Sequence, residues 1–178
     1  MAKWKRYVVG ANEEGKSAVL MEEAENVQEN PGIFYRATLW GTREVPVDNS
    51  ITDDRANEIK TREPFPGGML FRALELPPDS GDRDAHVREV QKLHTEVDQK
   101  HAPSAADLAR HPTMHRTDTL DCIVCVKGEV HLMTDVDDVV MRAGDTVVIR
   151  GTNHGWANRS SEPCLLVGCM IDAVPQGS

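Results

Sequence analysis

Between residues 114 and 171 the chain consists of short apolar runs at close, regular spacing. This constrains its fold more than any other feature. The runs cover 120–126, 129–133, 138–142, 145–150 and 164–171, and Lys127-Gly128, Asp135–Asp137, Ala143-Gly144 and Ser160–Pro163 separate them. Short strands divided by turn residues at such intervals predict an all-β sandwich or barrel.

The residues upstream extend the β pattern and then interrupt it. Tyr7–Val9, Ala18–Met21 and Ile33–Trp40 read as strands, with a hairpin turn at Asn12–Gly15 and a break at Asn30-Pro31-Gly32. Residues 46–68 are polar and broken by Pro46, Pro64, Pro66 and Gly67-Gly68; Met69–Leu76 is a further strand, stopped by Pro77-Pro78. Over 82–101 the apolar residues Val87, Val90, Leu93 and Val97 recur at helical spacing among many charges, which predicts a surface helix. Ala102-Pro103-Ser104 ends it, and 104–110 reads as another short helical turn. The expected organisation is therefore N-terminal strands and a loop over 1–68, packed on the barrel or on a second subunit. A barrel over 69–178 follows, with a helical insert at 82–110.

Charge and composition narrow the partners. A net charge of −9 repels phosphate backbones and anionic bilayers, so neither nucleic acid nor membrane is expected. No run approaches the roughly 20 apolar residues of a spanning helix. The basic start, Met1 to Arg6, has no apolar core behind it, so no secretory leader is expected and the cytoplasm is the default. Cys122 and Cys125 have C-x-x-C spacing, but positions three apart on a strand face opposite ways. Their sulfurs should not converge, and buried reduced thiols are expected.

Two segments carry a more specific pattern. The first runs from His115 through Arg116, Thr117, Asp118, Thr119, Leu120 and Asp121 to Gly128-Glu129. The second runs from Gly144-Asp145 through Arg150, Gly151 and His154 to Trp156 and Asn158. Together they resemble the two motifs of the cupin superfamily. His115 takes the first histidine place, Asp121 the glutamate place six residues before Gly128, and His154 the histidine place four before Asn158. Thr117 stands where a second histidine belongs, Arg150 replaces a proline, and the second motif is one residue short before His154. The resemblance implies a cupin double-stranded β-helix, a jelly-roll barrel with a cavity, N-terminal strands and a short helical insert. It also implies a homodimer as the default assembly.

His115, Asp121 and His154 are the expected catalytic residues and the expected metal ligands. Two imidazoles and a carboxylate are the parts of a facial triad, which favours Fe(II), with Mn, Ni or Zn as alternatives. Fully extended, 115–121 would span about 20 Å at ~3.3 Å per residue, so the chain must bend if both ends serve one ion. Asp121 would otherwise orient a histidine or act as a base. Thr117, Arg150 and Trp156 are the expected substrate-binding residues. Arg150, near the His154 turn, suits a substrate carboxylate; Trp156 shares parity with His154. His86, His94 and His101 are expected in surface or capping roles, His131 facing outward and His111 near an entrance. Metal-dependent oxygenase chemistry on a small organic molecule leads. The alternatives are a metal-independent dehydratase, decarboxylase or isomerase using His and Asp as acid and base, and a non-catalytic ligand-binding cupin.

Overall fold

The computed structural model describes residues 4–24, 26–96 and 100–175. Within them, eleven strands account for most of the regular structure. Strands β1 (Tyr7–Ala11) and β2 (Ser17–Glu22) form a separate two-stranded hairpin. Its turn is fixed by Asn12, whose side-chain oxygen accepts from the amides of Glu14 and Lys16, and by Gly15 at φ 74°. The chain then enters a six-stranded sheet through β3 (Asn26–Asn30), β4 (Phe34–Thr42) and β5 (Met69–Leu76).

Two helices interrupt the strands. In α1 (Arg83–Glu96), His86 and Val90 are buried, so the helix lies against the barrel where a surface helix was expected. The side chains of His94 and Leu93, and Val97 entirely, fall outside the described residues. The short α2 (Ala105–Arg110) starts on a capping box: Ser104 accepts from the Asp107 amide while Asp107 accepts from the Ser104 amide.

The remaining strands are β6 (Thr119–Lys127), β7 (Glu129–Met133), β8 (Asp138–Arg142), β9 (Thr146–Arg150), β10 (Gly155–Ala157) and β11 (Cys164–Asp172). The large sheet has the order β3-β4-β5-β11-β6-β9 and a facing sheet has the order β10-β7-β8. Every strand pair described is antiparallel. The core between them draws on both sheets: Leu76, Cys125, Ile149 and Leu166 from one, Val130, Met141 and Trp156 from the other. This is the two-sheet β arrangement the strand spacing predicts, and it matches the jelly-roll barrel the cupin resemblance implies.

Strands β3 and β4, unlike the β1–β2 hairpin, are continuous with the barrel sheet, because β4 pairs with β5 along nearly its whole length, from Tyr35↔Glu75 to Thr42↔Met69. Two strands have no signal in the sequence. β3 carries one apolar residue, Val27, and is held by its ladder to β4; β10 is only three residues long. Cys122 and Cys125 face opposite ways as their spacing requires, but Cys122 is exposed, so only Cys125 of the pair is the buried thiol expected. The Cys125 and Cys164 sulfurs lie 3.7 Å apart as free thiols. Among the described residues, no helix is long and apolar enough to cross a membrane.

Candidate active site in the barrel cavity

A cavity of about 150 Å³ opens between the two sheets. His115, Asp121, His154 and Trp156 line it, together with Arg36, Arg62 and Arg72. The apolar part of the wall includes Phe34, Leu74, Leu76, Ile123 and Leu166, and Val90 closes one side from α1.

The two histidines are placed by the backbone. His115 donates its amide to the His154 carbonyl at 2.8 Å, and His154 returns the bond at 2.9 Å. This isolated antiparallel bridge sets the rings side by side, with centroids 4.3 Å apart. Each ring folds back on the carbonyl two residues upstream. His115 Nδ1 reaches Thr113 O at 2.8 Å, and His154 Nδ1 reaches Thr152 O at 3.0 Å. A carbonyl only accepts, so each Nδ1 carries a proton, and the neutral His154 ring keeps its lone pair on Nε2. Burial pushes His154 down to about 4, against the pull of its bond to Thr152, so the ring is neutral at physiological pH. Trp156 stands edge-on to His154 at 6.0 Å.

Asp121 comes from β6, after a bend at Asp118 that separates it from His115. The hydroxyls of Thr119 and Thr117 are hydrogen-bonded to each other at 2.8 Å beside that bend. The carboxyl is 2% exposed and its Oδ1 has no hydrogen-bond partner. Burial raises it to about 6; its bond with Thr119 and the charge of Arg72 pull the other way. Gly168, the β11 residue paired with Ile123, leaves space beside it. A Cβ there would sit 2.5 Å from the Cys122 carbonyl oxygen.

Two of the expected substrate-binding residues stand elsewhere. Arg150 is exposed on β9, where its neighbour Ile149 takes the inward position. Thr117 is buried in the bend and bonded to Thr119, outside the cavity lining. The cations that do line the cavity come from upstream: Arg36 on β4, Arg72 on β5 and Arg62 from the loop between them. The sequence holds one signal for Arg72. Leu70, Arg72, Leu74 and Leu76 alternate along one face of β5, and a lone arginine in an otherwise apolar row marks a buried charge with a purpose.

The part of the chain that supplies His115, Asp121, His154 and Trp156 to the cavity is a recognisable sequence unit. Residues 99–170 match the model of the Cupin domain. That segment is a cupin domain. Similar proteins include Phomopsin biosynthesis cluster protein C' of Diaporthe leptostromiformis, 46% identical over 48 residues, which are 26% of this cupin and 25% of that protein. The matched stretch is thus about a quarter of that relative's length. The cupin-domain-containing oxidoreductase srdD of Neurospora crassa is 24% identical over 160 residues, 86% of this chain and 65% of that protein. An RmlC-like cupin from Shewanella frigidimarina superposes with a TM-score of 0.45 at 12% identity, over 84% of this chain and 85% of that one.

The cupin fold raises the question of a metal. The Nε2 lone pair of the neutral His154 ring is a suitable donor, and the His115 ring stands beside it. The third donor is missing: among the described residues, no three His, Cys, Asp or Glu side chains come together closely enough to hold an ion. His115, Asp121 and His154, expected to share a metal, therefore line one cavity without forming a three-ligand site.

Proposed function

We propose that this cupin is a small-molecule enzyme that works by proton transfer from its own side chains, in the manner of a dehydratase, decarboxylase or isomerase. One observation carries the reading. Asp121 presents an unpartnered, buried carboxyl oxygen in a cavity that also holds two imidazoles, and its raised value near 6 gives both protonation states close to neutral pH. A group so poised serves as general acid and general base in turn. His154 is a neutral acceptor through Nε2 and cannot donate from that atom at neutral pH. Its role is to accept a hydrogen bond or proton from the substrate. His115, fixed against Thr113, offers a second acceptor beside it. Phe34, Leu74 and Trp156 keep water away from the exchanging proton.

The test follows proton exchange itself, whatever the product. The protein is incubated in D2O with a panel of small organic acids, and deuterium entry at carbon or loss of water or CO2 is followed by NMR. Turnover that disappears in Asp121→Asn and persists without added metal supports the reading. Stoichiometric metal in freshly purified protein, lost in both His115→Ala and His154→Ala, overturns it.

That outcome would favour metal-dependent oxidation instead. The observation on its side is the pair of imidazoles with ring centroids 4.3 Å apart, joined by the likeness to a cupin-domain-containing oxidoreductase.

A further inference from the structure

The cavity holds more positive charge than its own carboxylates neutralise. Arg36 is 9% exposed and Arg72 is 8% exposed, so both guanidiniums are inside the protein. Arg36 donates to the neutral side chain of Gln28 and lies over the Phe34 ring at 5.1 Å. Arg72 donates to the carbonyls of Arg62 at 2.7 Å and Thr61 at 3.4 Å and to the Thr38 hydroxyl at 3.5 Å, and its Nε is buried with no partner. Among the described residues, neither has a carboxylate within ion-pair distance. The three arginines are close enough to oppose one another's charge: Arg36 and Arg62 both act on Arg72, and Arg36 acts on Arg62. Of the nearby acids, Glu63 is engaged by Lys100 at 3.1 Å, and Asp121 is the single carboxylate lining the cavity beside the three arginines.

Buried charge without a counter-ion costs several kcal/mol per group in general, and a fold keeps it only where something returns the cost. This cluster does so in a chain whose overall charge is −9, so it does not follow from a generally basic composition. The rest of the wall is apolar, which suits a carbon skeleton better than a bare inorganic ion.

We propose that the cavity's ligand is a small organic dicarboxylate, with its anionic groups held by Arg36, Arg62 and Arg72 and its carbon skeleton against Phe34, Leu74 and Trp156. This rests on the reading of the cavity as an enzyme site and names the substrate class for it. Planar guanidiniums match carboxylates through paired N–H bonds, and two carboxylates match the two arginines, Arg36 and Arg72, that have no carboxylate at ion-pair distance among the described residues.

The experiment is calorimetric titration of the full chain with malonate, succinate and glutarate, against butyrate and inorganic phosphate, at neutral pH and low salt. At least one dicarboxylate is expected to bind about tenfold or more tightly than butyrate, since one charged hydrogen-bonded contact alone is worth that much. Arg36→Met and Arg72→Met should each weaken it by about tenfold or more, while melting without ligand is unchanged or rises, because an uncompensated buried charge is gone. Arg72→Lys keeps the charge and loses the fork, and should bind between the two. Equal binding of butyrate and dicarboxylates overturns the proposal, as does binding of phosphate alone, or of none of the three diacids. So does a result in which Arg72→Met melts earlier yet binds as before, because the arginine is then structural. Asp121→Asn separates the two claims. If it abolishes proton exchange and keeps diacid affinity, both stand; exchange on substrates that are not diacids sinks only this one; diacid binding without exchange sinks only the mechanism.

Discussion

Replacing Asp121 by Asn tests the electrostatics of the cavity without a substrate. Burial raises the carboxyl from its ordinary value of 3.8 to about 6. A raised carboxyl means that the unfolded chain releases its proton at lower pH than the folded chain does. Below about pH 4 both states are protonated and Asp121 costs nothing; between about pH 4 and pH 6 the native state falls behind, and above that the penalty is constant. At ~1.36 kcal/mol for each tenfold change, the rise corresponds to about 3 kcal/mol. Asn is nearly isosteric and cannot ionise, so the variant escapes the penalty. The stability of Asp121→Asn relative to the parent should therefore climb by about 3 kcal/mol between pH 4 and pH 7, or roughly 6–12 °C in melting temperature for a domain of this size. The measurement is urea unfolding of both proteins at several pH values. Its readout is the slope of their difference, which removes any fixed effect of exchanging an oxygen for an amide. A flat difference refutes the reasoning. A difference that falls with pH refutes it more strongly, because the carboxylate would then be a stabilising partner of Arg72.

Three further outcomes follow from the site and its frame. The His154 ring, held down to about 4 by burial, should show no titration of its NMR ring signals from neutral pH to about pH 5. Asn158→Ala should cost about 3 kcal/mol in urea unfolding, because it orphans two carbonyls, Leu76 O at 2.8 Å and Glu162 O at 2.9 Å, and removes the acceptor of Ser160. An unchanged midpoint would show that water replaces those bonds. Gly128→Ala should lose about 2 kcal/mol or more in thermal unfolding, since φ is +76° and a Cβ would lie 2.7 Å from the Pro163 carbonyl oxygen.

The parts of this protein that local sequence decides are legible in it. Strand β5 falls on Met69–Leu76 as its apolar run and Pro77-Pro78 imply, and the hairpin at Asn12–Gly15 forms through the side chain expected of a turn asparagine. His115 and His154 reach one cavity because the second motif returns the chain antiparallel to the first. Everything requiring long-range register is hidden. Val27 alone does not announce β3, which exists because β4 offers it a ladder. Strand parity groups Thr117 with His115, but the bend at Asp118 breaks the alternation. Nearness in sequence to His154 favours Arg150. The cavity takes its cations from Arg36, Arg62 and Arg72 instead, because β4 and β5 lie in the same sheet as β6. An anion site chosen by sequence proximity therefore falls on the solvent face of an edge strand.

The titrating groups also explain why the parent protein would conceal its own site in a simple acid melt. As pH falls from about 6.5 to 4, the unfolded chain gains a proton at His154 that the native ring refuses, so this residue lowers stability. Over nearly the same interval Asp121 regains its proton in the native state first and raises stability. The two contributions have opposite signs and similar size, so their sum is nearly flat. Only variants that remove one member expose the other. Binding should disturb this balance in a defined direction. An anion seated on the arginines opposes ionisation of Asp121 and favours its protonated form, the form a general acid needs. The same buried cations that tax the empty fold would thus be neutralised on binding and leave the proton where catalysis uses it.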